Sequence, residues 1–151
     1  MWGGGGKECS NLKTLTSMLI DNKHEDLDGL LLKMDIEGSE WEVFSSVDIQ
    51  NLEQFDQIVV ELHNIFDESR HDLVMEALEK LSSIFIAIHI HANNYSDIYY
   101  CGDLITPNTI EVTFVNKKIY KYKKSDKILP IMLDQENCVD IPDVVLGRWN
   151  V

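Results

Sequence analysis

No stretch of this chain approaches the roughly 18 consecutive apolar residues that a membrane-spanning helix needs, and no charged-then-apolar signal peptide opens it. Cysteine is scarce. Cys9, Cys101 and Cys138 lie far apart, with no Cys-x-x-Cys pair. That excludes a disulfide scaffold and makes a reducing cytoplasm the expected compartment. Basic residues are also few: 13 Lys and Arg stand against 26 Asp and Glu, for a formal charge of −13. Such a field repels phosphate backbones, so no nucleic acid is expected among the partners. There is no Gly-x-Ser-x-Gly elbow, and no cysteine at a strand end with a histidine partner in sequence, which argues against nucleophilic hydrolysis. Cys101, after Tyr99-Tyr100, reads as a loop thiol with nothing to activate it.

What is present suffices for one domain with a core: 44% of 151 residues are apolar, and no internal repeat or low-complexity linker interrupts them. Gly3, Gly4, Gly5 and Gly6 have no strand before them, so they lack the context of a phosphate-binding loop. Residues 1–9 therefore read as a flexible lead-in. Leu12, Leu15, Met18 and Leu19 recur at helical spacing, with Thr14 as cap and Asp21-Asn22 as stop.

Residues 29–36 form a short apolar run bounded by turn residues, the pattern of a buried strand. Ser39 is expected to cap a helix carrying Trp41, Val43 and Phe44, with Trp41 in the core. Residues 57–63 make a second strand, 69–81 an amphipathic helix with Leu73, Ala77, Leu78 and Leu81 on one stripe, and 84–91 a third strand. Strand–helix alternation of this kind predicts an α/β fold with a mostly parallel sheet.

After Pro107 the pattern changes to alternation. Ile110, Val112 and Phe114 face one way, and residues 109–115 and 119–122 are expected to pair as an antiparallel hairpin at the sheet edge. Six lysines between 117 and 127 read as a solvated, aggregation-resistant edge, or as a contact to an acidic surface. The core is thus expected to span 10–127, with 128–151 as an irregular tail.

In an open parallel sheet, ligands bind beyond the C-terminal strand ends. Asp35 and Glu37 end the first strand, Glu61 and His63 the second, and His89, His91, Asn93 and Asn94 the third. A carboxylate beside an imidazole can take a proton from a hydroxyl. Asp35, Glu37 and His63 are equally a mixed oxygen and nitrogen set for a divalent metal. Plainer readings stand beside these. Glu37 and Glu40 suit a helix N-terminus, His89 a strand interior, and Asn93-Asn94 a turn.

The segment Leu32-Lys33-Met34-Asp35-Ile36-Glu37-Gly38-Ser39-Glu40-Trp41-Glu42 resembles the FkbM-type methyltransferase family, whose members carry a similar K-I-D-I/V-E-G-x-E turn. The resemblance extends to residues 8–15, Val60-Glu61-Leu62-His63, His89-Ile90-His91-Ala92-Asn93-Asn94 and residues 109–114. It implies a class I, Rossmann-like fold and S-adenosylmethionine-dependent O-methylation of a small hydroxylated acceptor, sugars among them.

Asp35 is then expected as base or metal ligand, His63 as partner base, and Glu37 as orienter or second ligand. Asn93 and His91 are expected to hold the acceptor. The family's glycine-rich donor loop has no counterpart, so the chain resembles the C-terminal part of the domain and reads as a truncated one. An exposed edge on the first strand would then need covering by the N-terminal segment, a second copy or an upstream polypeptide. Two other readings remain: a non-catalytic remnant or binding module, and a metal-dependent enzyme of another class.

Overall fold

A computed structural model describes residues 13–102 and 104–148. The glycine run and Cys9 lie outside the described residues. Helix α1 (Leu15–Asp21) starts where Thr14 Oγ1 accepts from the Ser17 amide at 3.1 Å, and it buries Leu15 and Leu19. Strand β1 (Leu30–Met34) leads into α2 (Glu40–Ser46) and α3 (Ile49–Glu53). Strand β2 (Phe55–Leu62) is followed by a 3-10 turn (Glu68–Arg70) and α4 (His71–Ile84), which buries Val74, Ala77, Leu81 and Ile84. Strand β3 (Phe85–Ala92) then precedes a hairpin of β4 (Ile98–Cys101) and β5 (Leu104–Pro107). Strand β6 (Ile110–Asn116) and the two-residue strands β7 (Ile128–Leu129) and β8 (Gly147–Arg148) complete the order.

The fold is mixed α/β, and its four-stranded sheet runs β1-β2-β6-β3. Among the described residues only β1 and β2 pair in parallel; β6 is antiparallel to both β2 and β3. The expectation of a mostly parallel sheet with an edge hairpin is corrected here. Residues 110–116 enter the sheet interior between β2 and β3, and residues 119–122 form no strand. Alternation along 110–116 looks the same for an edge strand and an inserted one, because periodicity reports faces and says nothing of neighbours. The hairpin in the structure lies earlier, and Tyr99-Tyr100-Cys101, read as loop, belongs to its first strand.

One sheet face carries Ile58, Val60, Leu62, Val112 and Phe114, and with Trp41, Phe44, Leu52 and the buried side of α4 it forms the core. Strand β3 joins this face only through a bulge. Ala87 stands opposite Phe114, but His89, not Ile88, stands opposite Thr113. The extra residue flips the alternation, so Ala87, Ile90 and Ala92 point into the core while His89 and His91 point to the opposite face. His89, read as surrounded by a strand interior, is therefore half-exposed beneath the chain's C-terminal segment. Replacing Leu81, fully buried in this core, by alanine is expected to cost about 2–5 kcal/mol, read from the urea midpoint.

Strand β1 forms an outer edge, pairs only with β2 among the described residues, and leaves Leu31 exposed. No described helix is long and apolar enough to cross a membrane.

Candidate functional site

The turn between β1 and α2 builds the site. Its residues Glu37 (φ 56°) and Gly38 (φ 102°) both adopt left-handed backbone, so the extension through Asp35 ends there and the two acids do not share a strand face. Ser39 takes the N-cap position but its hydroxyl caps nothing. The next side chain serves instead: Glu40, fully buried, accepts from the Ile36 amide at 3.0 Å and from the Gly38 amide at 3.0 Å. A carboxylate turned back onto the amides of its own turn supplies the acceptors that a helix start requires.

Gly38 is required by space as well as by backbone angle. A Cβ there would lie 2.9 Å from Asn64 Nδ2. Arg70 Nη1 also donates to the Gly38 carbonyl at 2.8 Å, while its Nη2 pairs with Glu42 at 2.5 Å. Gly38→Ala is expected to destabilise the fold by about 1–3 kcal/mol, measured by denaturant unfolding.

His63 follows β2 and is held from two sides. Its carbonyl accepts from the Trp41 indole N–H at 2.6 Å, and its Nδ1 lies 3.1 Å from Glu40 Oε1. Because a carboxylate only accepts, Nδ1 carries the proton in this pair, and Nε2 is left to the rim side of the ring. Around Nε2 stand Glu37 Oε2 at 3.6 Å and Glu61 Oε2 at 4.0 Å, both beyond hydrogen-bond length. Glu61 is fixed through its other oxygen, which accepts from Asn93 Nδ2 at 2.7 Å. Asp35, exposed, completes the group: Asp35, Glu61 and His63 each offer a ligand atom, all within 4.8 Å of one another.

Of the residues singled out in the sequence, the structure therefore gathers Asp35, Glu37 and His63 at one rim, with Asn93 reaching it through Glu61. His91 is not gathered there. It is buried, with Nδ1 3.4 Å from Glu111 and Nε2 3.0 Å from Asp143. Two participants had weaker signals. Glu61 shares the strand end with His63 by i, i+2 spacing. Glu40 closes the family-like turn and suits a helix start, but nothing in the sequence marked it as a site residue, since burial of a glutamate is invisible there.

A family model described as the Methyltransferase FkbM domain matches residues 9–100, more than half of the chain. The chain belongs to the FkbM methyltransferase family. The matched span contains Asp35, Glu37, Glu40, Glu61, His63 and Asn93, so the whole rim lies within the FkbM domain. Strand β6 and the segment beyond it lie outside the match. No curated protein and no solved structure matches the chain.

Proposed function

We propose that this rim is the acceptor side of an S-adenosylmethionine-dependent O-methyltransferase acting on a small hydroxylated molecule, a sugar being the first class to test. One observation carries the reading. His63 keeps Nε2 beyond hydrogen-bond length of Glu37 and Glu61 while its Nδ1–H rests on the fully buried Glu40, the arrangement of an oriented general base. Nε2 takes the proton of the acceptor hydroxyl, and Glu40 stabilises the imidazolium as it forms. Asp35, exposed beside it, accepts a hydrogen bond from a second hydroxyl of the acceptor and so orients the molecule; Asn93 keeps Glu61 in place.

S-adenosylmethionine supplies, when bound, an electrophilic methyl group on sulfur. The described residues do not fit the family's donor cradle: Gly29, Gly38, Gly102 and Gly147 stand singly, and none belongs to a glycine-rich strand-to-helix loop. The chemistry assigned to this chain is therefore the acceptor's deprotonation.

The test is calorimetric titration of S-adenosylmethionine into the folded chain, followed by transfer of a labelled methyl group to a panel of sugars and other alcohols. Saturable binding and a methylated product support the reading. No binding at millimolar donor assigns the chain to the non-catalytic alternative.

A second reading is favoured by the grouping of Asp35, Glu61 and His63, whose mixed oxygen and nitrogen donors suit a divalent cation. The Glu40–His63 and Asn93–Glu61 hydrogen bonds are the outer contacts that such ligands use. Magnesium, manganese or zinc is then expected to raise the melting temperature of the wild type and not of Asp35→Asn, by ligand linkage. Equal shifts in both proteins would remove the cation from this site.

A further inference from the structure

The segment after β7 crosses the sheet face opposite the core and is fastened to it by side chains. His89 Nε2 meets Asp134 Oδ1 at 2.8 Å, and His91 Nε2 meets Asp143 Oδ2 at 3.0 Å. Asn137 Nδ2 donates to Glu111 Oε1 at 3.0 Å. Asn94 closes the middle: its amide donates to the Cys138 and Ile141 carbonyls at 2.9 and 2.7 Å and accepts from the Cys138 amide. Leu146 is buried at the far end.

The charges set a problem for this docking. Residues 128–148 carry Asp134, Glu136, Asp140 and Asp143 against Arg148, and the face beneath adds Glu111, with Glu61 in register beside it on β2. Strand β3 can supply positive charge only through His89 and His91. His91 is placed to do so. It has carboxylates at both ring nitrogens, from β6 and from the segment, and a neutral imidazole has one N–H to offer. Its doubly protonated form donates to both; its neutral form sets a lone pair against a carboxylate.

We propose that residues 131–146 form a pH-sensitive clasp, docked across β3 while His91 is an imidazolium and loosened when it loses that proton, with Asn94 as the pH-independent hinge. The proposal does not depend on the methyltransferase reading, and the clasp lies outside the matched family span. The groups facing His91 are Asp143 and, more distantly, Asp134 from the clasp, and Glu111 from β6; His89 is the neighbouring titratable group on its own strand.

Burial pushes the His91 imidazole down, but the hydrogen bond and charge of Asp143, then the Glu111 hydrogen bond, outweigh it and hold the group above its ordinary value. The clasp's contribution is therefore complete below a pH of about 6.5 and is lost as pH rises through the higher folded value.

Amide hydrogen exchange of the full chain between about pH 5.5 and 8.5, expressed as protection factors, tests this. The Ile131, Val144 and Leu146 amides are expected to lose about tenfold in protection across that range while Val60 and Val112 in the central sheet do not. In His91→Gln the clasp amides should be poorly protected at every pH. Uniform protection in the wild type, or an unchanged pH response in His91→Gln, overturns the proposal. Should His91→Gln fail to fold, NMR titration of the wild-type His91 ring decides: a midpoint above about 6.5 supports the clasp and one at or below it overturns it.

Discussion

Glu40→Ala is expected to destabilise the fold by about 3–5 kcal/mol, the largest effect of any single polar replacement in the β1–α2 turn. Removing the carboxylate takes the acceptor from two backbone amides, Ile36 and Gly38, and from the His63 ring. At a fully buried position water does not replace it, and each orphaned donor costs about 1–3 kcal/mol. Glu40→Gln separates shape from acceptor number. Its amide oxygen can keep Ile36 and His63, but its NH2 group would replace Oε2 and face the Gly38 amide, donor against donor. We expect about half the loss. Chemical denaturation of the three proteins at one pH measures it; equal stability of wild type and alanine variant would mean that Glu40 does not anchor the turn.

The second large effect belongs to His63. Where the donor titration shows binding and transfer is detected, His63→Gln is expected to lower that transfer by about 10²–10⁴-fold, the usual contribution of a positioned general base, while lowering the melting temperature by only a few degrees. The ring is partly exposed, and the Trp41 indole bonds to the backbone carbonyl of His63, which the substitution keeps. This pairing of outcomes distinguishes a chemical role from a structural one. Full transfer in His63→Gln would move the base elsewhere, Asp35 being the next group within reach. A matched loss of activity and stability would instead make His63 a brace for Glu40. Asp35→Ala, at an exposed position, should lower transfer with no loss of stability at all.

Much of this was legible in the residues. The apolar runs at 29–36, 57–63 and 84–91 became β1, β2 and β3, but only β2 is the buried interior strand that such a run suggests; β1 and β3 are edge strands and leave Leu31 and Ile88 exposed. The Asp35-Ile36-Glu37-Gly38-x-Glu40 turn carried the family, and its glycine carried a backbone angle and a close approach that a larger side chain resists. His63 and Asp35 were legible as strand-end residues, since strand ends of neighbouring strands converge on one rim.

What the chain alone could not decide depends on partners distant in sequence. Whether 110–116 lies at an edge or between β2 and β3 is settled by which strands it reaches, and an alternating pattern is silent on that. A one-residue bulge in β3 decided which face His89 and His91 occupy, and so turned two histidines from strand-interior and rim candidates into fastenings for the C-terminal segment. That segment has little periodicity, because side-chain hydrogen bonds and ion pairs hold most of it, and these leave no repeating trace in sequence. Glu40 is the sharpest case: a glutamate two residues past a glycine reads as a solvated helix start, and only its burial against the turn amides and the His63 ring makes it an anchor. Local propensity and hydrophobic pattern determined the elements and the family turn; strand order, burial of charge and the C-terminal clasp required the closed tertiary structure, because they arise from contacts between residues far apart in the chain.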